Sequence, residues 1–292
     1  MELHQPLRIA PAIAESPKRK TLSSFLSLGT KSISWFMKMN RSVFTLLLLS
    51  IATVFQLAAQ QTEIDKRPIE ELKAKAETGD AKSEVELGLR YDNGEGVAED
   101  KVEAVKWYRK AAEQNMAEAQ SRLGFCYDYG KGVAKDQVEA VKWYRKAAEQ
   151  NLAEAQFNLG LCYFDGNGVA KDRVEAVKWY RKAAEQNLAR AQFSLAVCYN
   201  YGEGVAKDQV EAVKWFRQAA EQNLANAQHS LGLCYATGEG VAKDYVEAYK
   251  WELLAAGQGE ELAKKTITIL EKQMTPEQLA EGQKRAANFK PR

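Results

Sequence analysis

The sequence predicts an all-α chain, an alpha-alpha superhelical solenoid of stacked helix pairs, and three observations carry that prediction. Leu87, Leu123, Leu159, Leu195 and Leu231 recur at a spacing of 36 residues. Tyr91, Tyr127, Tyr163, Tyr199 and Tyr235 keep the same interval, and Trp107, Trp143, Trp179, Trp215 and Trp251 form a third register. One globular core has no need of a tryptophan at a fixed interval, whereas a stack of near-identical packing layers does. Five units of 36 residues therefore occupy 81–259, and the remainder is leader, lead-in and cap.

Taken in chain order, the leader is basic: the first 60 residues hold seven Lys/Arg and two Asp/Glu, leaving 34 against 37 for the rest. That near-neutral remainder gives no footprint for a nucleic acid. Residues 1–36 read as an unstructured leader or as the artefact of a start codon placed too early, with Pro6, Pro11 and Pro17 in poorly patterned sequence. The stretch 43–59, VFTLLLLSIATVFQLAA, follows Lys38 and Arg41. A basic flank, an apolar heart and small residues at the end describe a signal peptide over 37–59, cut near Ala58 or Ala59. The alternative is an uncleaved anchor of about 17 residues, at the short limit for a span, which would associate the chain with a membrane. The first reading makes the repeats periplasmic or secreted; the second leaves them membrane-anchored outside the cytoplasm.

Residues 60–80 are a polar linker and an N-terminal capping helix that Pro68 opens, with Leu72 and Ala76 as its apolar positions. The unit 117–152 serves as the type copy. Ala119, Leu123, Gly124, Cys126 and Tyr127 recur three and four apart, the stripe of a first helix. Gly130 and Gly132 end it and turn the chain, and Val133 plugs the gap between the helices. Asp136 with Glu139 three residues on reads as a capping box, the glutamate reaching back to the cap residue. The same pair recurs at Asp100, Asp172, Asp208 and Asp244. A second helix follows, turning Ala140, Trp143, Ala147 and Ala148 inward, with Lys142, Arg145, Lys146 and Glu149 in solvent. Leu123, Gly124, Tyr127, Trp143 and Ala147 are the expected repeat core, with Gly124 and Ala147 admitting a neighbouring helix backbone. Asn151 stands where Gly79 and Gly259 stand in the flanking phases, so a left-handed residue closes each unit.

At the far end the motif dissolves: Tyr249 replaces a valine and Glu252 replaces the second aromatic of the Trp-Tyr pair. Capping helices fill 260–292, one from Leu262 to Met274 with Ile267, Ile269 and Leu270 apolar, and one opened by Thr275-Pro276 with Gln278 in the box position.

The pattern Ala-x-x-x-Leu-Gly-x-x-Tyr, Gly-x-Gly-Val, Asp and Ala-x-x-Trp-Tyr-x-x-Ala-Ala resembles the Sel-one-like repeat, a longer-turned relative of the tetratricopeptide repeat. The resemblance covers 81–259 and implies a right-handed superhelix whose first helices line a concave, partner-binding side. It further implies an adaptor or scaffold of the exported bacterial type. A cysteine-rich bacterial subgroup carries paired cysteines in each repeat, and penicillin binding or hydrolysis is suggested for some of it. This chain departs from that pattern with one cysteine per unit, Cys126, Cys162, Cys198 and Cys234, so neither property is carried over.

The residues support no chemistry of their own. Equivalent cysteines on successive first helices are a helix spacing apart, about 8–10 Å, beyond the roughly 7 Å a disulfide spans, and read as packed thiols rather than a metal or redox ladder. His4 and His229 are the two histidines, and neither is near a cysteine in sequence. Recurring Asp/Glu pairs are caps, and the Gly-x-Gly turns lack a phosphate-binding Lys-Ser/Thr. No catalytic residue, metal ligand or cofactor is expected. The second helices read almost word for word as EAVKWYRKAAEQN, so individuality lies on the first helices, where Phe157, Phe164, Phe193, Tyr201 and His229 form the candidate partner-binding groove. The expected function is a non-catalytic, monomeric scaffold that holds a protein or peptide. An enzyme acting on cell-wall or beta-lactam-like substrates, and a structural spacer rod, are the alternatives.

Overall fold

A computed structural model describes residues 68–291, so the expected leader, the signal or anchor stretch and the linker lie outside the described residues. Thirteen helices and no strands are found among the described residues. Helix α1 spans 68–77. The first helices of the five repeats are α2 (Ala81–Asn93), α4 (Ala117–Tyr129), α6 (Ala153–Asp165), α8 (Ala189–Tyr201) and α10 (Ala225–Thr237). Their second helices are α3 (Lys101–Glu113), α5 (Gln137–Glu149), α7 (Arg173–Glu185), α9 (Gln209–Glu221) and α11 (Tyr245–Gly257). Two more, α12 (Glu261–Glu271) and α13 (Pro276–Ala287), close the chain. Each first helix packs on its own second helix, and each second helix packs on the first helix of the next repeat, so the layers form a solenoid.

Both ends of each helix are set by the chemistry of single residues. Gly130 takes φ +68 and donates its N–H to the Cys126 carbonyl, ending α4. Asp136, extended at φ −145, accepts from the Glu139 amide at 3.0 Å and starts α5. The aspartate half of the expected capping box is therefore present, but the glutamate half is not. Asp136 already donates its own N–H to the Tyr127 carbonyl at 2.9 Å, leaving no orphan for Glu139, which pairs with Lys142 at 2.8 Å instead. The same division recurs at Asp100, Asp172 and Asp208. Asp244 caps α11 by accepting from Val246 and Glu247. Among the described residues Thr275 forms a reciprocal box, with Gln278. Asn115, Asn151, Asn187 and Asn223 all lie near φ +65, the left-handed state shared by Gly79 and Gly259.

The core layer of a repeat is built on a glycine and a ring. Leu123, Ala119, Ala140 and Ala147 are fully buried, and Trp143 is 8% exposed. Gly124 makes room for a side chain rather than for a helix backbone alone: a Cβ there would lie 2.8 Å from the Tyr144 ring and 3.2 Å from the Ala140 carbonyl. Gly160 stands the same way over Tyr180, whereas Ala196 goes with Phe216 in the fourth repeat. From the second repeat onward, the second glycine of each turn touches the preceding repeat. At φ +67, a Cβ on Gly132 would overlap the Lys101 carbonyl of α3.

Two ladders bind repeat to repeat. Arg109, Arg145, Arg181 and Arg217 donate to the phenol oxygens of Tyr127, Tyr163, Tyr199 and Tyr235 at 2.5–2.6 Å. A buried amide ladder runs alongside. Gln156 Nε2 donates to the Ala148 carbonyl at 3.2 Å and to Asn151 Oδ1 at 3.1 Å, while its Oε1 accepts from Gln186 at 2.7 Å. Gln120, Gln192 and Gln228 repeat the arrangement. In the first repeat Glu84 takes this place, 3% exposed, and accepts from Gln114 at 2.7 Å.

Helices outside the five repeats cover the ends of the stack. Ile69 of α1, 6% exposed, fills the position against Gly96 that a preceding second helix would occupy. At the other end α12 and α13 both pack on α11. Gly282 lies against the Tyr249 ring, Arg285 pairs with Glu247 at 2.7 Å, and Phe289 meets Trp251 edge-on at 5.4 Å. Leu270 is buried as its apolar register implies, and Met274 is buried beyond the helix, but Ile269 is 56% exposed, because it lies on the side of α12 turned away from α11.

Candidate interaction surface

The outward face of the first helices is set by helical spacing. On α4, Glu118, Arg122, Phe125 and Tyr129 follow one another at intervals of three and four and line one side. The opposite side, Ala119, Leu123 and Cys126, is buried. The middle of that outward face is apolar in every repeat, with Leu89, Phe125, Leu161 and Val197 half-buried and Leu233 39% exposed. Polar residues flank it. Glu118 pairs with Arg122 at 3.0 Å, and Arg190 reaches across to Glu154 of the preceding repeat. Lys131 stands 4.8 Å over the Phe125 ring, and the Tyr129 ring packs on Phe125 at 4.6 Å. The result is an apolar midline with charged borders, able to receive the side chains of a protein segment.

The five residues expected to line a groove do not form one strip. Phe157 is 5% exposed, 5.8 Å from the Tyr180 ring, and roofed by the Arg190 guanidinium. Phe193 makes the equivalent contact with Phe216 at 5.8 Å and is half-buried. Phe164 leans on Tyr180 at 6.2 Å beneath Arg173. His229 is turned inward to Glu252. Tyr201 stands out, 68% exposed. The physical reason is phase: positions 157, 193 and 229 lie beside the repeat's own second helix, one residue before those at 158, 194 and 230 that flank the midline. The outward set was findable from Glu118 by steps of four, three and four. Of the five, Tyr201 shares the register of Tyr129 and lies on the outward face.

The cysteines of the first helices are held in their protonated form. Burial pushes the thiols of Cys126 and Cys234 up to about 11 and those of Cys162 and Cys198 up to about 12, so all four are protonated at neutral pH. All four are free. Among the described residues no group of three or more His, Cys, Asp or Glu side chains is placed to hold a metal ion. Also among the described residues, no helix is long and apolar enough to cross a membrane; the stretch 43–59 lies outside them.

Comparison with known proteins joins these observations. The profile of the Sel1 repeat matches residues 81–116, 117–152, 153–188, 189–224 and 225–260. The chain belongs to the Sel1 repeat family. A solved Sel1 repeat protein from Oxalobacter formigenes is 34% identical with a TM-score of 0.67, over 80% of this chain and 95% of that one. A protective antigen present in uropathogenic Escherichia coli strains, displaying an SLR fold, is 36% identical with a TM-score of 0.70, over 76% of this chain and 49% of that one. The secretory immunoglobulin A-binding protein EsiB of Escherichia coli is 39% identical over 73 residues, 25% of this chain. This Sel1 repeat chain thus spans about half of the solved antigen, and its match takes in 14% of EsiB.

Proposed function

We propose that the chain is an exported, non-catalytic scaffold that holds a protein or peptide along the outward face of its first helices. The observation that carries this reading is the contrast between faces: Leu89, Phe125, Leu161, Val197 and Leu233 form one partly exposed apolar row that differs between copies, while the second helices repeat almost unchanged. A surface that varies between copies of one fold holds individual contacts; a surface that does not vary carries packing. The relatives support the same reading in kind, since one is named for binding immunoglobulin and another as a protective antigen. Export rests on the basic flank and apolar heart of 37–59, with a membrane anchor as the alternative use of that stretch. The helices that close both ends of the stack favour a monomer over an end-to-end rod.

A photo-reactive residue placed at Leu161 or at Leu233 of the full chain in its source cells tests the face, with Val138 on α5, 57% exposed, as control. Adducts with a discrete protein at the first two positions and none at Val138 are expected. Equal labelling at all three sites would remove the assignment of the face. The intact mass of the native chain tests export, and a full-length chain in the cytoplasm would end that part of the reading.

A further inference from the structure

The last repeat carries a buried pair that the others do not. Phe157 meets Tyr180 and Phe193 meets Phe216, each pair 23 residues apart with ring centroids 5.8 Å apart. The same spacing in the fifth repeat joins His229 to Glu252, whose Nδ1 and Oε2 lie 2.8 Å apart. A buried aromatic pair has become a buried polar one on an equivalent backbone. Glu252 is 0% exposed and the His229 side chain 13%. Gly232 admits the carboxylate, since a Cβ there would lie 2.8 Å from Oε1. That Oε1 has no hydrogen-bond partner. Glu252 sits on α11, the helix that bears both closing helices through Tyr249–Glu271 at 3.0 Å, Glu247–Arg285 and Trp251–Phe289.

We propose that His229 and Glu252 form a proton-operated clasp in the fifth repeat: with the imidazole protonated they close as a buried ion pair, and loss of that proton leaves a buried carboxylate without a cation, loosening α11 and the closing helices it carries. An uncompensated buried charge is among the costlier defects a core can hold. Burial pulls the His229 pKa down, but the hydrogen bond and charge of Glu252 outweigh it, so the imidazole titrates above an ordinary histidine. Burial likewise raises Glu252, against the pull of His229. Glu260, the cap of α12, is the further charged group acting on both, and it favours the protonated state of each. Both folded values lie above the unfolded ones. The ion pair's stabilisation is therefore present where Glu252 has ionised and His229 still holds its proton, and it is lost as pH rises through the folded value of His229. Between about pH 6 and 9 the window is clean: His229 is the one histidine among the described residues, and the buried thiols titrate at about 11 to 12.

The test is hydrogen exchange of the full chain at several values across that window, comparing 225–287 with the second and third repeats. The His229→Phe/Glu252→Phe double variant restores the pair found in the fourth repeat. Wild-type protein should lose protection in 225–287 selectively as pH rises, and the double variant should lose none beyond the intrinsic exchange rate. An equal pH response in both would overturn the clasp. Should the double variant fail to fold, Glu252→Gln keeps the shape without the charge. Its His229, followed by NMR, should then titrate lower than in wild type, and an unmoved midpoint would equally overturn the proposal.

Discussion

Replacing Gln156 by glutamate should unsettle the third repeat far more than the near-identity of the two shapes implies. Gln156 is 2% exposed and holds three hydrogen bonds: its amide donates to the Ala148 carbonyl and Asn151 Oδ1, and its oxygen accepts from Gln186. A glutamate keeps the last and loses the two donated bonds, which are worth about 1 kcal/mol each. It also sets a carboxylate against two acceptor oxygens in a buried site, so the expected cost is roughly 3–5 kcal/mol at neutral pH. The loss should shrink in acid, where the new carboxyl takes up a proton and regains a donor. The chain supplies its own control. In the first repeat Glu84 stands at the equivalent place, held above the usual carboxylate range by burial, and the residue facing it is Gly79 instead of an asparagine. The carboxylate is thus accommodated where the second acceptor is missing. Asn151→Gly combined with Gln156→Glu copies that solution, and glycine adopts the φ of +67 at this position without strain. In a double-mutant cycle followed by guanidinium unfolding and far-UV circular dichroism, the pair should lose at least about 1 kcal/mol less than the two single changes added together. Strict additivity, or a Gln156→Glu chain as stable as wild type, would refute the account of the amide ladder.

Two further outcomes follow from the repeat geometry. Gly132→Ala meets both a φ of +67 and the Lys101 carbonyl of the preceding repeat, so it should cost several kcal/mol and lower the melting temperature of the whole stack, whereas Lys131→Ala next to it should leave the melt nearly unchanged. The four cysteines, buried and held protonated up to about pH 11 to 12, should resist a thiol reagent in the native chain at mildly alkaline pH and react fully once it is unfolded. Rapid native labelling would mean that the first helices open far more readily than their packing allows.

What the sequence by itself determined was what repeats and acts locally. A residue that recurs every 36 positions reports one physical demand made five times, so the helix pairs, the αL asparagines, the aspartate caps and the tryptophan layer are readable without coordinates. The Thr275-Pro276 start of α13 is as legible, because a cap acts within four residues. What only the tertiary structure decided involves partners distant in the chain. The Arg145–Tyr163 bond spans 18 residues, Gln186–Gln156 spans 30, and Gly132 answers to a carbonyl at Lys101. No local pattern states such a pairing. Phe157 and Tyr201 are both aromatic and both on first helices, yet one is buried beneath Arg190 and the other stands in solvent, because a single step of 100° around a helix decides which neighbour a side chain meets. Glu252 appeared in the sequence as a lapse of the motif at the end of the array. The fold made it half of a buried pair, since the turn of α10 against α11 brings His229 to it and nothing in the intervening 23 residues announces the contact.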